Sequence, residues 1–220
     1  MTSLSVTAQT PARFDAAKFT PRRDSFVVVA QGRPIGFMRE VLESTSDGFQ
    51  LISDTEISGS MAQRTNLSFS GAGEMRMVSQ RGMARGQEMK IDVTYADGRA
   101  KGSATTPQQA GMQTIAVDAI VPKGAIDDNA LQLFLPTLDL KKGAEYEVTL
   151  FASGKGTTLP MKAKVIGTES IAVPAGTFDA WDVEVSGGPM PVHMHVSTTA
   201  PHRVVRVAIS GSPVEFLLVK

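Results

Sequence analysis

From Trp181 to Val219 the sequence falls into four short runs that alternate apolar and polar residues, separated by Gly187-Gly188, Ala200-Pro201 and Gly211-Ser212. A period of two residues belongs to a half-buried strand and cannot be reconciled with the 3.6-residue period of a helix. The runs can be set in register. A turn at Gly187-Gly188 places Val185 opposite Met190 and Val183 opposite Val192. A reversal at Ala200-Pro201 pairs Val196 with Val205, Met194 with Val207 and Val192 with Ile209. A turn at Gly211-Ser212 then pairs Ile209 with Val214, Val207 with Phe216 and Val205 with Leu218. Every pair is apolar on one face, and a slip of one residue would carry the whole set into water. The chain must therefore end in an antiparallel meander with one buried face.

The same grammar extends upstream. Ser25 to Ala30 is a strand, and after Gly32-Arg33-Pro34 a second runs from Ile35 to Glu43. Asp47-Gly48 and Asp97-Gly98 are two-residue hairpin signals. Met89-Lys90-Ile91-Asp92-Val93-Thr94-Tyr95 alternates strictly, and further strands are expected over 49–57, 65–70, 74–79, 99–105, 112–120, 145–152 and 158–173. Twenty glycines and twelve prolines suit many short strands joined by tight turns. One helix interrupts them, over 126–135, with Asp127 and Asp128 in its first turn where acids complement the macrodipole, and with Pro136 to stop it. Its apolar residues nearly encircle it, so it is expected to sink against the sheet. Val173-Pro174-Ala175-Gly176-Thr177-Phe178 is a punctuated turn: Pro174 fixes its own φ, and Gly176 tolerates positive φ. The expected fold is mainly β: a single strongly curved antiparallel sheet, or half-open barrel, over 24–220. An N-terminal arm over 1–23 has a weak helical patch at 15–19. Residues 1–8 end in a small-x-small pattern, readable as the remnant of an export signal cut after Ala8 or as a frayed polar terminus.

The order of Asp97-Gly98-Arg99, the 127–136 helix, Lys142-Gly143-Ala144-Glu145-Tyr146 and the Val173 to Phe178 turn resembles a bacterial family of exported proteins, domain of unknown function 3108. The resemblance spans about Ser25 to Lys220. It implies a highly curved antiparallel sheet with one helix, similar in outline to the half-barrels of periplasmic lipoprotein carriers, and a periplasmic or secreted location. It carries no catalytic residue across, because the family has no established activity.

Composition narrows function by exclusion. Lys+Arg and Asp+Glu both number 22, so no global field draws nucleic acid or an anionic membrane surface. Aromatics make up only 6%, with no basic–aromatic interleaving of the kind nucleic-acid platforms use. No run approaches the roughly 18 apolar residues of a membrane-spanning helix. Without cysteine there is no disulfide, thiolate metal site or cysteine nucleophile. Neither a phosphate loop nor a Gly-x-Ser-x-Gly elbow is present.

Two constellations remain. Met75 and Met77, on one face of a strand, with Met89 and Phe134 could line a cavity for a hydrophobic or lipid-like ligand on the concave face, thioethers being polarisable and easily repacked. Plain core filling explains the same residues. His193 and His195 share a strand face, and the register above sets Asp182 opposite His193 with Glu184 alongside, a donor set suited to zinc or copper. Against it, Arg206 falls opposite His195, and His202 lies about 13 Å further along. Alternation already explains the pair, as a solvated polar face opposite Val192, Met194 and Val196. The sequence leads to a non-enzymatic envelope protein without a cofactor, with a metal-binding protein or metal-dependent enzyme at His193/His195 and a ligand-free scaffold as the alternatives. Ligand identity and oligomeric state are not encoded in any motif.

Overall fold

The computed structural model describes residues 10–108 and 111–220; the candidate export remnant at 1–8 lies outside them. The strands, in chain order, begin with β1 (Thr10–Pro11), β2 (Arg22–Ala30), β3 (Arg33–Thr45) and β4 (Gly48–Ile57). There follow β5 (Met61–Ser70), β6 (Met75–Ala84), β7 (Gln87–Ala96), β8 (Arg99–Gln108) and β9 (Gly111–Ile120). After β10 (Ile126–Asp127) and a helical segment come β11 (Glu145–Ala152), β12 (Thr157–Val173) and β13 (Gly176–Ser186). The chain closes with β14 (Val192–Ser197), β15 (Val204–Ile209) and β16 (Val214–Leu218). All belong to one sheet in the order β1-β11-β12-β13-β14-β15-β16-β2-β3-β4-β5-β6-β7-β8-β9, with β10 beside β11. Pairing is antiparallel except that β1 and β10 run parallel to β11. The sheet is strongly curved and does not close: β9 and β1 end its path unpaired with each other.

One apolar row crosses β3 to β7 in register, Leu42 opposite Leu51, Leu51 opposite Leu67, Leu67 opposite Val78 and Val78 opposite Val93. These side chains are buried in the main core. At the β7–β8 turn both Asp97 and Gly98 take positive φ (51° and 70°), the backbone of a type I′ hairpin, as the Asp-Gly dipeptide predicts.

The helical segment spans 128–137 as a 3₁₀ turn (Asp128–Ala130), an α turn, α1 (Leu131–Phe134), and a 3₁₀ turn (Leu135–Thr137) that contains Pro136. It starts two residues later than the acids suggest, because Ile126 and Asp127 pair with β11 instead. Leu131, Leu133, Phe134 and Leu135 are all buried against the sheet. Phe134 collects Phe14, Phe19 and Phe69 edge-to-face, with ring centroids 5.3, 5.0 and 5.4 Å away, contacts worth about 1 kcal/mol each beyond area burial. Phe14 and Phe19 flank the single 3₁₀ turn Ala16–Lys18, capped by Asp15, so the arm is strapped to the helix. Asp15 N–H donates to Thr137 Oγ1 (3.1 Å), and Lys18 Nζ donates to the Thr137 carbonyl (2.8 Å).

Four bulges depart from simple alternation; one places Ile35 of β3 between the Val28–Gly36 and Val29–Pro34 pairs. In β12 an extra residue, Ile166, sits between the Val165–Val183 and Gly167–Asp182 pairs. The buried residues are odd-numbered on both sides of it, yet Ala163 and Val165 join the main core while Ile171 and Val173 join a second one. In β15 the extra residue is Val205, so Val196 faces Val204 rather than Val205, and Val205 turns into the second core. In β6 the extra residue is Arg76, which leaves Met75 paired with Phe69 and Met77 paired with Ser68. Met75 and Met77 therefore lie on opposite faces, not one. The expected pairing of β13 with β14 is also two residues out: Val185 faces Val192 and Val183 faces Met194. Pro189 and Pro191 explain this, since residues without an amide hydrogen leave the ladder and lengthen the loop. A slip of two keeps the buried face, and the remaining pairs Met194–Val207, Val192–Ile209 and Val207–Phe216 are as expected.

The second core joins Ile171, Val173, Ala180 and Val205 to Phe26, Met38 and Leu218, with Phe178 packed alongside. The Val173 to Phe178 turn thus delivers Phe178 to this core and Trp181 to the main one.

Candidate functional site

Where the sheet stays open, the arm, the β5–β6 and β7–β8 turns and the 121–126 segment enclose a cleft of about 850 Å³. Phe14, Met75, Tyr95, Val121, Ile126 and Phe134 give it apolar walls. Its charged lining includes Arg13, Arg76, Arg99 and Lys123 against Glu74 and Asp97. Arg76 is paired with Asp47 and Arg99 with Asp118. Among the described residues neither Arg13 nor Lys123, both exposed, has an ion-pair partner. Of the methionine–phenylalanine set expected from sequence, Met75 and Phe134 meet here. Met77 points to the other face of the sheet, and Met89 is buried near the far end of its strand. The concave face itself is filled by the helical segment and its own side chains.

Tyr95 ties this cleft to the helix start. Its hydroxyl donates to Asp127 Oδ2 (2.6 Å), while Asp127 Oδ1 accepts from Asn129 N–H (2.9 Å) and from Asn129 Nδ2 (2.7 Å). Asp127 is fully buried, so it is a satisfied N-cap as well as helix-terminal charge. Burial and then the Asp127 carboxylate raise the Tyr95 phenol above its ordinary range.

A polar seam separates the two cores. On β3, Glu40 lies between Met38 of the second core and Leu42 of the main one, and it faces Asp24 across β2. Asp24 is engaged by Arg22 Nε (2.7 Å) and Arg203 Nη1 (3.1 Å), whereas among the described residues Glu40 receives only Gln132 Nε2 (3.2 Å). Burial, offset in part by Arg22 and reinforced by Asp24, pushes the Glu40 carboxyl up to about 7.

The histidines form a third cluster, arranged differently from the sequence register. Asp182 faces His195, and Glu184 faces His193. Even so, His193 Nδ1 reaches diagonally to Asp182 Oδ1 at 2.8 Å. His195 Nε2 contacts Glu169 Oε1 at 2.7 Å and lies 4.0 Å from Asp182 Oδ1. Far from forming a solvated face, His195 is 3% exposed. The reason lies in the bulges: the side of β13 that carries Asp182 also carries Ala180, so the surface bearing His195 runs straight into the second core. His202 is elsewhere, with Nδ1 on the Ser197 carbonyl. Glu169 escapes sequence reasoning because only the Ile166 bulge gives it this face. Glu40 had one legible signal, a lone acid at an inward position between Met38 and Leu42.

These features define the class: an open, barrel-like antiparallel sheet with a helical plug, carrying a cleft at its gap and an acid–histidine cluster beside its second core. The chain belongs to the family described as protein of unknown function (DUF3108), whose profile matches residues 8–211. No curated protein matches it. It is similar in structure to a β-barrel-like protein of domain of unknown function DUF1849 from Brucella abortus, with a TM-score of 0.53, 11% identity, and 97% of this chain and 98% of that chain covered. A candidate lipoprotein from Parabacteroides distasonis gives a TM-score of 0.33 at 12% identity, covering 97% of this chain and 99% of that one. A protein with a YmcC-like fold from Bacteroides fragilis gives 0.31 at 9% identity, covering 96% and 97%. The Brucella likeness corroborates the fold.

Proposed function

We propose that this is a non-enzymatic protein of the bacterial envelope that holds an anionic, lipid-like molecule in the cleft at the gap of the sheet. The observation that carries the reading is the cleft itself. Its volume of about 850 Å³ lies in the range of small-molecule sites. It offers Phe14, Met75, Val121 and Phe134 to an acyl chain, and the exposed cations Arg13 and Lys123 to a carboxylate or phosphate head. This moves the ligand from the concave face, which is filled, to its open edge. An envelope location follows from the resemblance of the 97–178 motifs to exported proteins.

Displacement of a fluorescent fatty-acid analogue tests the proposal. The wild type should bind one equivalent saturably. An Arg13→Glu/Lys123→Glu variant, altered only at exposed side chains, should bind at least tenfold more weakly with an unchanged melting temperature. Failure of the wild type to bind, or equal binding by the variant, refutes it.

A further inference from the structure

We infer that Glu169, Asp182 and His195 form a binding site for a divalent transition-metal ion of the zinc type, separate from the cleft and independent of what the cleft binds. One oxygen from each acid and one nitrogen of His195 lie within 4.8 Å of one another. A single ion bonding to each at about 2.0–2.2 Å can bridge such a set after small side-chain movements. Imidazole with carboxylate is a borderline donor set of the kind zinc accepts.

Three further observations point the same way. First, charge is unbalanced. Glu169, Asp182 and Glu184 converge on two imidazoles, and the guanidinium of Arg206, opposite His195 on the facing strand, is directed to Glu215. Asp182 has a side-chain exposure of only 18%, so its excess charge is poorly hydrated. A divalent cation neutralises it. Second, His195 is 97% buried by the same measure that leaves it 3% exposed, and its Nδ1 has no protein partner. Without an ion the Glu169 carboxylate holds the ring proton on Nε2 and leaves Nδ1 a buried acceptor with no donor; an ion on Nε2 would displace that proton and move it to Nδ1. Third, His193 Nδ1 holds Asp182 Oδ1 at 2.8 Å, the outer hydrogen bond that orients a ligating carboxylate. The fourth position is open to water, Glu184 or an incoming ligand.

The test uses the untagged full chain, stripped with chelator and titrated with zinc alone, with cobalt as a spectroscopic substitute. The wild type should bind one equivalent and melt at a higher temperature with zinc than without it. Glu169→Gln, at a half-exposed position, and Asp182→Asn should each weaken binding at least tenfold and abolish the cobalt absorption, while His202→Gln should leave both unchanged. Absence of saturable binding by the wild type, or wild-type affinity in either acid variant, overturns the inference.

Discussion

Glu40 offers a quantitative test of the polar seam. Its carboxyl is held at about 7 against an ordinary 4.5, first through burial and only partly offset by Arg22, whose guanidinium is committed to Asp24. A folded-state value above the unfolded one means that the folded chain binds the proton more tightly. The associated stability is therefore fully present below pH 4.5 and is lost as pH rises through 7. At about 1.4 kcal/mol per unit, the gap corresponds to about 3 kcal/mol by pH 8. Glu40→Gln keeps the shape and the contact with Gln132 while removing the titration. Urea unfolding of both proteins across pH 4 to 8 should show the variant gaining on the wild type by about 3 kcal/mol between the two ends. The gain should be concentrated between pH 4.5 and 7. A stability difference that does not change with pH, or one in which the wild type gains as pH rises, would refute the reasoning.

Other consequences follow from named contacts. Gly176 has φ of 131° with open space where a Cβ would stand, so Gly176→Val acts through backbone strain alone; it should cost on the order of 1 to 3 kcal/mol, read as a lower melting temperature. Tyr95→Phe leaves a buried Asp127 oxygen without its donor and should destabilise by about 1–3 kcal/mol in denaturant unfolding. Leu42→Ala empties a position 2% exposed in the cross-sheet row and should cost about 2–5 kcal/mol in the same assay. Stability unchanged within error would contradict each.

The strands were legible because alternation and turn chemistry are local. Asp97-Gly98 and Val173 to Phe178 lie at the hairpins their residues predict. What stayed hidden is what one extra residue does to a face. Ile166, Val205 and Arg76 look like ordinary members of their strands, and only the partner strand reveals that each is surplus. The consequences reach the candidate sites. Arg76 separates Met75 from Met77, so only Met75 reaches the cleft. Ile166 brings Glu169 to the side of His195, where alternation about a regular strand would not place it. The burial of His195 depends on a second core assembled from residues as distant in sequence as Phe26 and Val205, which no local pattern announces. The prolines at 189 and 191 were visible, and they account for the longer β13–β14 loop once the register is known.

The cleft is open to a direct test, because three methionines of the chain report from known places. Methyl resonances of methionine-labelled protein can be followed while a long-chain fatty acid is titrated in. A saturable shift is expected at Met75, in the cleft wall, with Met77 on the opposite face and Met89 inside the sheet unmoved. No shift at Met75, or a shift at Met89 instead, would contradict it.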